Sequence, residues 1–230
     1  MISGSGLLAT TFKEFGTRRD VYVHAAGVSN SQCCDIREFA RERDALLRSI
    51  DHGRDCDRFL YFSTCSIGDP SAQESPYVAH KTAMERLVQG HPSHLILRLP
   101  QLAARTPNPH TLLNFLHARI SRGERFTVWR NARRNIIDCD DARGLGVAAL
   151  NAGLRGATIN IANSVAYEMV EIVATMERVV RGHAVYDLID RGAPYPIDIA
   201  PIGALLARTG VSFDAGYLER VLRKYYGPSD

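Results

Sequence analysis

Residues Phe59 to Val88, FLYFSTCSIGDPSAQESPYVAHKTAMERLV, constrain this chain more than any other stretch. Phe59-Leu60-Tyr61-Phe62 is an apolar run with the length and aromatic content of a buried strand. The small polar cluster Ser63-Thr64-Cys65-Ser66 follows directly, and the carboxyl end of a parallel strand is where ligands bind. A turn-rich loop, with Gly68-Asp69-Pro70 and Ser75-Pro76, then leads into Tyr77-Val78-Ala79-His80-Lys81. Tyr77 and Lys81 are four apart, so on a helix they project from one face. A lysine ammonium beside a phenol stabilises the phenolate, which predicts a lowered Tyr77 pKa and an acid/base group for neutral pH. A hydroxyl at the strand end can then hold the substrate oxygen whose proton moves.

The 230 residues suffice for one substantial core, or for one large and one small lobe. An apolar fraction of 45% and a charged fraction of 23% are those of an ordinary soluble globular protein. The net charge of +3 is too small to argue for a nucleic-acid partner. Arg130-Asn131-Ala132-Arg133-Arg134 is the one local basic cluster, either a solvated loop or an anion site. The five cysteines, at 33, 34, 56, 65 and 139, are odd in number and lack C-x-x-C spacing. With no leader-like segment and no long apolar span, reduced thiols, a cytoplasmic location and no membrane partner are expected. Neither cysteines nor histidines show metal-ligand spacing, so no metal is expected. His91 and His94, in a proline-containing turn, are expected to be exposed.

From the start, Gly4-x-Gly6-x-x-Ala9 has the G-x-G-x-x-G/A form that predicts a tight turn, close backbone approach to a pyrophosphate and helix–strand contact. A very short strand, Met1 to Ser3, precedes it, and a helical pattern over Leu7 to Phe15 would seat the phosphate at its N-terminus. Asp20 to Ser29 reads as a second buried strand ending in the small residues Ala25-Ala26-Gly27. Ile36 to Ile50 predicts an amphipathic helix with Phe39, Leu46, Leu47 and Ile50 inward. Leu95 to Gln101 is a further buried strand. Beyond it come helix Thr111 to Ile120, strand Arg125 to Trp129, and Arg134 to Asp141, where Asp140 and Asp141 suit an N-cap and a first-turn carboxylate. Ala157 to Ala162 reads as a strand, Tyr167 to Val180 as a helix, Pro194 to Pro201 as a loop and Phe213 to Tyr226 as a closing helix. Strands alternating with helices predict an α/β fold with a doubly wound, mainly parallel sheet and ligand at the strand carboxyl ends.

The ordered strand, Ser/Thr cluster, loop and Tyr-x-x-x-Lys resemble the short-chain dehydrogenase/reductase superfamily. Glu85 and the later segments resemble its extended branch, the NAD-dependent epimerase/dehydratases that act on nucleotide sugars. That likeness runs over nearly the full length, through Leu99-Pro100 and the Arg134 to Asp141 segment. It implies a Rossmann-like dinucleotide-binding and catalytic domain over residues 1–105. Residues 106–230 would be mainly a small mixed α/β substrate lobe, with segments returning to the first domain. Relatives place two further strands and a helix between the first helix and the second strand, where this chain has only Gly16 to Arg19. A truncated nucleotide half is therefore expected. Relatives also often carry an Asn near the start of the helix that opens at Ile36, and no Asn stands at a matching place.

By the same resemblance NAD or NADP, without a preference, lies against Gly4, Gly6, Leu7, Ala25, Ala26, Gly27, Phe62, Leu99 and Pro100, together with Tyr77 and Lys81. Tyr77 exchanges the proton of a sugar hydroxyl, Lys81 holds the nicotinamide ribose, and Thr64 orients the substrate oxygen, with Ser63 and Ser66 as substitutes. Ser66 and Arg134 are the expected substrate contacts, Arg134 for the diphosphate of a nucleotide sugar. Cys65 and Ser66 stand where dehydratase relatives carry Asp and Glu, which leaves epimerase or ketoreductase, expected in surface polysaccharide or glycolipid synthesis. The competing reading is a catalytically weak relative that binds a nucleotide or nucleotide sugar in a regulatory role. Relatives pair through the Tyr-x-x-x-Lys helix and the helix before it, so a homodimer through Tyr77 to Val88 is possible.

Overall fold

A computed structural model describes residues 1–228. Its centre is a five-stranded, wholly parallel sheet in the order β1 (Ile2–Ser3), β2 (Val21–His24), β3 (Arg58–Thr64), β4 (His94–Leu99) and β8 (Ala157–Asn160). Successive side chains on a strand point to opposite faces, and here both faces are covered. Leu60, Phe62, Leu95 and Leu97 enter one core with Phe12, Phe15 and helix α5 (Cys139–Asn151). Phe59, Tyr61 and Ile96 enter another with α2 (Ile36–His52) and α3 (Pro76–Gln89). The apolar runs are continuous rather than alternating because both sides are buried. The fold is α/β and doubly wound around a mainly parallel, truncated sheet.

The truncation lies at the β1 edge. Helix α1 spans only Leu7–Thr11, not the Leu7 to Phe15 expected. The rings of Phe12 and Phe15 turn into the sheet core, Phe12 lying 4.9 Å from Phe62 between centroids, and a 3-10 turn over Lys13–Thr17 carries the chain back to β2.

The other core gathers β5 (Gln101–Ala103), α4 (Leu112–Arg122), β6 (Phe126–Trp129), β7 (Arg133–Asp138), β9 (Ala166–Glu168), α6 (Met169–Val180), β10 (Tyr186–Ile189) and α8 (Tyr217–Tyr226). β5 pairs parallel and β9 antiparallel with β7, whereas β6 and β10 form a separate parallel pair. The short helix α7 (Gly203–Thr209) packs with α5 against the main sheet through Leu205.

Several local expectations are corrected. Asp138, not Asp140, caps α5, its carboxylate accepting from the Asp140 amide at 2.7 Å; Asp140 and Asp141 lie in the first turn. His91 is buried, its ring against Phe59 and its Nε2 3.0 Å from the Gly53 carbonyl. Leu47 is exposed, because the inward stripe of α2 runs through Glu42, Leu46 and Ser49.

Candidate functional site

At the carboxyl ends of β2, β3 and β4 lies a cavity of about 320 Å³. Gly6, Leu7, Ala25, Gly27, Phe62, Thr64, Ser66, Tyr77, Lys81, Leu99 and Pro100 all line it. Residues more than ninety positions apart therefore meet in one space. Gly4 and Ala26 are outside the lining, but Gly4 shapes it: at φ 111° its α-carbon lies so close to the end of β2 that a Cβ would sit 2.5 Å from the Ala25 carbonyl oxygen. Gly6, by contrast, opens onto space, with nothing within 4 Å of a built Cβ. Arg134 also lies off the lining, half-buried, donating through Nη1 to the Arg133 carbonyl at 2.9 Å.

Thr64 ends β3 and caps the 3-10 turn Cys65–Gly68, accepting from the Ser66 amide at 3.1 Å. Its hydroxyl also faces the Tyr77 phenol. Pro76 begins α3 at a position where its missing N–H leaves no bond unmade, and the first full turn places Tyr77 and Lys81 against β3. Both are buried, and the long stem of Lys81 ends in a polar nest. Its Nζ donates to Glu42 Oε1 at 2.9 Å, to the Tyr61 hydroxyl at 2.7 Å and to the Phe62 carbonyl at 3.2 Å.

Glu42 was the main residue missed. Its buried carboxylate accepts from Lys81, from the Tyr61 hydroxyl at 2.9 Å and from the Val28 amide at 2.7 Å, with His80 Nε2 at 3.1 Å. Burial alone would raise the Glu42 carboxyl, but the His80, Lys81 and Val28 donors outweigh it and hold the group below the usual carboxylate range. The signal was present in the sequence: Phe39, Glu42, Leu46 and Ser49 share one helical stripe, and a carboxylate on an otherwise inward face must have partners.

The predicted lowering of Tyr77 is not found. Burial pushes its phenol well above the ordinary value, Glu42 pushes it further, and Thr64 offsets only part. Lys81 cannot reverse this, because its charge is matched by Glu42 at hydrogen-bond distance.

Two further buried polar atoms, His24 Nε2 and Ser63 Oγ, have no partner, and both residues line the cavity. Together with the glycine-lined approach at Gly6 and Gly27, they make the cavity fit a polar, flat ligand group such as a nicotinamide riboside. Beside Ser66, Tyr195 is a second missed residue. Its phenol, raised to about 12 by burial, lies beside Ser66 and in the field of Arg134. A tyrosine in a proline-rich loop carries no local signal of that placement. Glu85, by contrast, is an ion-pair residue, accepting from Arg98 Nε and Nη2 at 2.9 and 2.7 Å. Among the described residues no helix is long and apolar enough to cross a membrane.

The family described as NAD dependent epimerase/dehydratase matches residues 8–162. No curated protein matches the chain. Among solved structures, UDP-glucuronic acid 4-epimerase from Bacillus cereus, in complex with UDP-glucuronic acid and NAD, superposes with a TM-score of 0.72 at 20% identity, covering 94% of this chain and 79% of that one. RMD from Pseudomonas aeruginosa, complexed with NADPH, gives 0.67 at 17% identity, over 88% and 80% of the two chains. dTDP-glucose 4,6-dehydratase from Bacillus anthracis str. Ames, in complex with NAD, gives 0.69 at 16%, over 94% and 75%.

Proposed function

The chain belongs to the NAD-dependent epimerase/dehydratase family, and on that premise we propose that it is an NAD(P)-dependent enzyme acting on a nucleotide sugar, as an epimerase or a ketoreductase. The observation that carries this reading is the convergence of Thr64, Tyr77 and Lys81 on one cavity with Gly6 and Gly27. When bound, a nicotinamide supplies the hydride acceptor or donor. Gly6, Gly27, Leu99 and Pro100 are the residues that would hold it, their small or apolar surfaces allowing a flat ring to approach. Tyr77 exchanges a proton with the sugar oxygen from within the cavity, and Thr64 orients that oxygen. The apolar walls formed by Phe62, Leu99 and Leu102 exclude water from the reacting atoms. Positioning of the two reactants supplies a large part of the rate.

The substrate side would rest on Ser66, which lines the cavity, with Tyr195 beside it and Arg134 off the lining, where a guanidinium suits a diphosphate. That the relatives of similar fold carry UDP-glucuronic acid or act on dTDP-glucose supports the nucleotide-sugar class. A role in surface polysaccharide or glycolipid synthesis follows from that class and belongs to this proposal alone.

Mass spectrometry of small molecules released from the purified chain, followed by titration with NAD(H) and NADP(H), tests the cofactor. Retained NAD supports an epimerase that recycles it; binding only of added NADPH or NADH supports a reductase. In either case Tyr77→Phe should keep the fold and lower turnover by about 10²–10⁴-fold, and full turnover in that variant would remove Tyr77 from the mechanism. A second reading, a nucleotide-sugar binding relative without turnover, is favoured by the sheet's stop at β1. It is the one to adopt if neither cofactor is retained or bound.

A further inference from the structure

Beneath Lys81 lies a carboxylate that the Thr64, Tyr77 and Lys81 chemistry does not require. A lysine ammonium has three N–H donors, and here all three have acceptors, in Glu42, Tyr61 and Phe62. None is left over for Tyr77. The two charges are 2.9 Å apart, with side chains only 4% and 1% exposed, so neither is screened by water. Such a pair presents to Tyr77 a dipole rather than a cation. The remaining groups around the cluster are each engaged or held neutral. His24 of β2 is held neutral by burial, Tyr61 of β3 donates its proton to Glu42, and His80 of α3 faces the far oxygen of Glu42. Arg98 of β4 is engaged by both oxygens of Glu85.

We propose that Glu42 is a positioning residue of this site: by anchoring Lys81 it withdraws the ammonium from Tyr77 and keeps the tyrosine a neutral phenol, the proton donor of a carbonyl reduction. The proposal rests on the reading of this cavity as a hydride-transfer centre, and it selects ketoreduction over the oxidative first step of an epimerase. In that reaction the carbonyl carbon of a keto-sugar nucleotide gains a C–H bond from the hydride of a reduced nicotinamide dinucleotide. The C=O π pair moves to oxygen, and the Tyr77 O–H bond breaks as its proton joins that oxygen. The products are the alcohol, the oxidised dinucleotide and a Tyr77 phenolate, which then takes a proton from solvent.

The test reads Tyr77 directly and needs no substrate. Ultraviolet titration of tyrosinate in the full chain, minus the same titration of Tyr77→Phe, isolates this one phenol. In the wild type its ionisation is expected above the ordinary phenol value of about 10. Glu42→Gln leaves Lys81 uncompensated and should lower it by about 1–3 units. The falling alkaline limb of carbonyl reduction, which needs the protonated phenol, should move to lower pH by the same amount. A wild-type Tyr77 that ionises below 10, or one unmoved by Glu42→Gln, overturns the proposal. If Glu42→Gln does not fold, the wild-type difference decides alone. Failure to bind any nicotinamide dinucleotide would defeat the hydride-transfer reading separately, since the titration reports on Glu42 whether or not turnover occurs.

Discussion

At the residue scale, the polar cluster under the cavity makes the fold sensitive to acid. His24 sits at the end of β2, its Nδ1 hydrogen-bonded to Ser49 Oγ at 2.9 Å and Ser3 Oγ at 3.1 Å. Burial pushes its imidazole down to about 4, with Glu42 opposing and Lys81 adding to the shift. The unfolded chain, with an ordinary imidazole near 6.5, therefore binds a proton that the folded chain refuses. Stability is full above that value and declines as the pH falls toward about 4, by about 3 kcal/mol if the whole interval is traversed. Glu42 acts in the same sense at lower pH, since its depressed carboxyl withdraws stability only once the pH falls below the ordinary carboxylate value. Urea unfolding of the wild type should show a falling midpoint between about pH 6.5 and 4.5. In His24→Gln that interval should be flat, with the loss confined to more acid solution. An unchanged profile in the variant would assign the acid sensitivity elsewhere. None of this was legible in the sequence, because a histidine following Val-Tyr-Val marks a strand end but not what lies above it. Ser3 and Ser49 are far from it in the chain.

At the scale of elements, the turn from β1 to α1 is the tightest constraint on the nucleotide side. Ser3 is opposite His24 in the parallel register, and its carbonyl accepts from the Ala25 amide at 2.8 Å. The next residue, Gly4, must turn away directly over the Ala25–Ala26 peptide. A Cβ there meets backbone rather than a movable side chain, and φ of 111° is one that L-residues rarely adopt. Gly4→Ala is expected to cost about 1–3 kcal/mol in backbone strain alone, visible as a lowered thermal midpoint, and to weaken dinucleotide binding because Ala25 lines the cavity. A variant that melts and binds as the wild type does would show that the turn is not held in this form. This turn was readable from Gly4-x-Gly6-x-x-Ala9, as was β3 from its aromatic run, because both are local rules of backbone and burial. The length of α1 was not, and the inner face of α2 only in part. Phe12 leaves its helix for a partner fifty residues on, and Glu42 takes an inward position that hydrophobicity assigns to Leu47.

At the scale of the whole molecule, the consequence is an unequal site for the proposed cofactor. In a doubly wound sheet a dinucleotide lies across two halves, with the strands on either side of the switch point serving one each. Here the strands run β1-β2-β3-β4-β8, so the half beyond β1 has no counterpart among the described residues. The lining agrees: residues 6–8 contribute to the cavity, the next contribution is His24, and none comes from 9–23. The internal deletion was visible in the short spacing between Gly6 and Val21, whereas its effect on the ligand depends on where the remaining chain closes the edge. Lys13–Thr17 does so as a 3-10 turn against the sheet core, leaving among the described residues no second βαβ unit to cradle an adenosine. On the proposed reading the nicotinamide mononucleotide portion would be the part this chain holds, and the adenosine would add little. Reduced nicotinamide mononucleotide and NADH, titrated by the fluorescence of the reduced ring, should bind with dissociation constants within about tenfold of each other, a difference of no more than about 1.4 kcal/mol. NADH binding tighter by about a hundredfold or more would require protein contacts to the adenosine. Such contacts would have to come from a surface outside the five-stranded sheet.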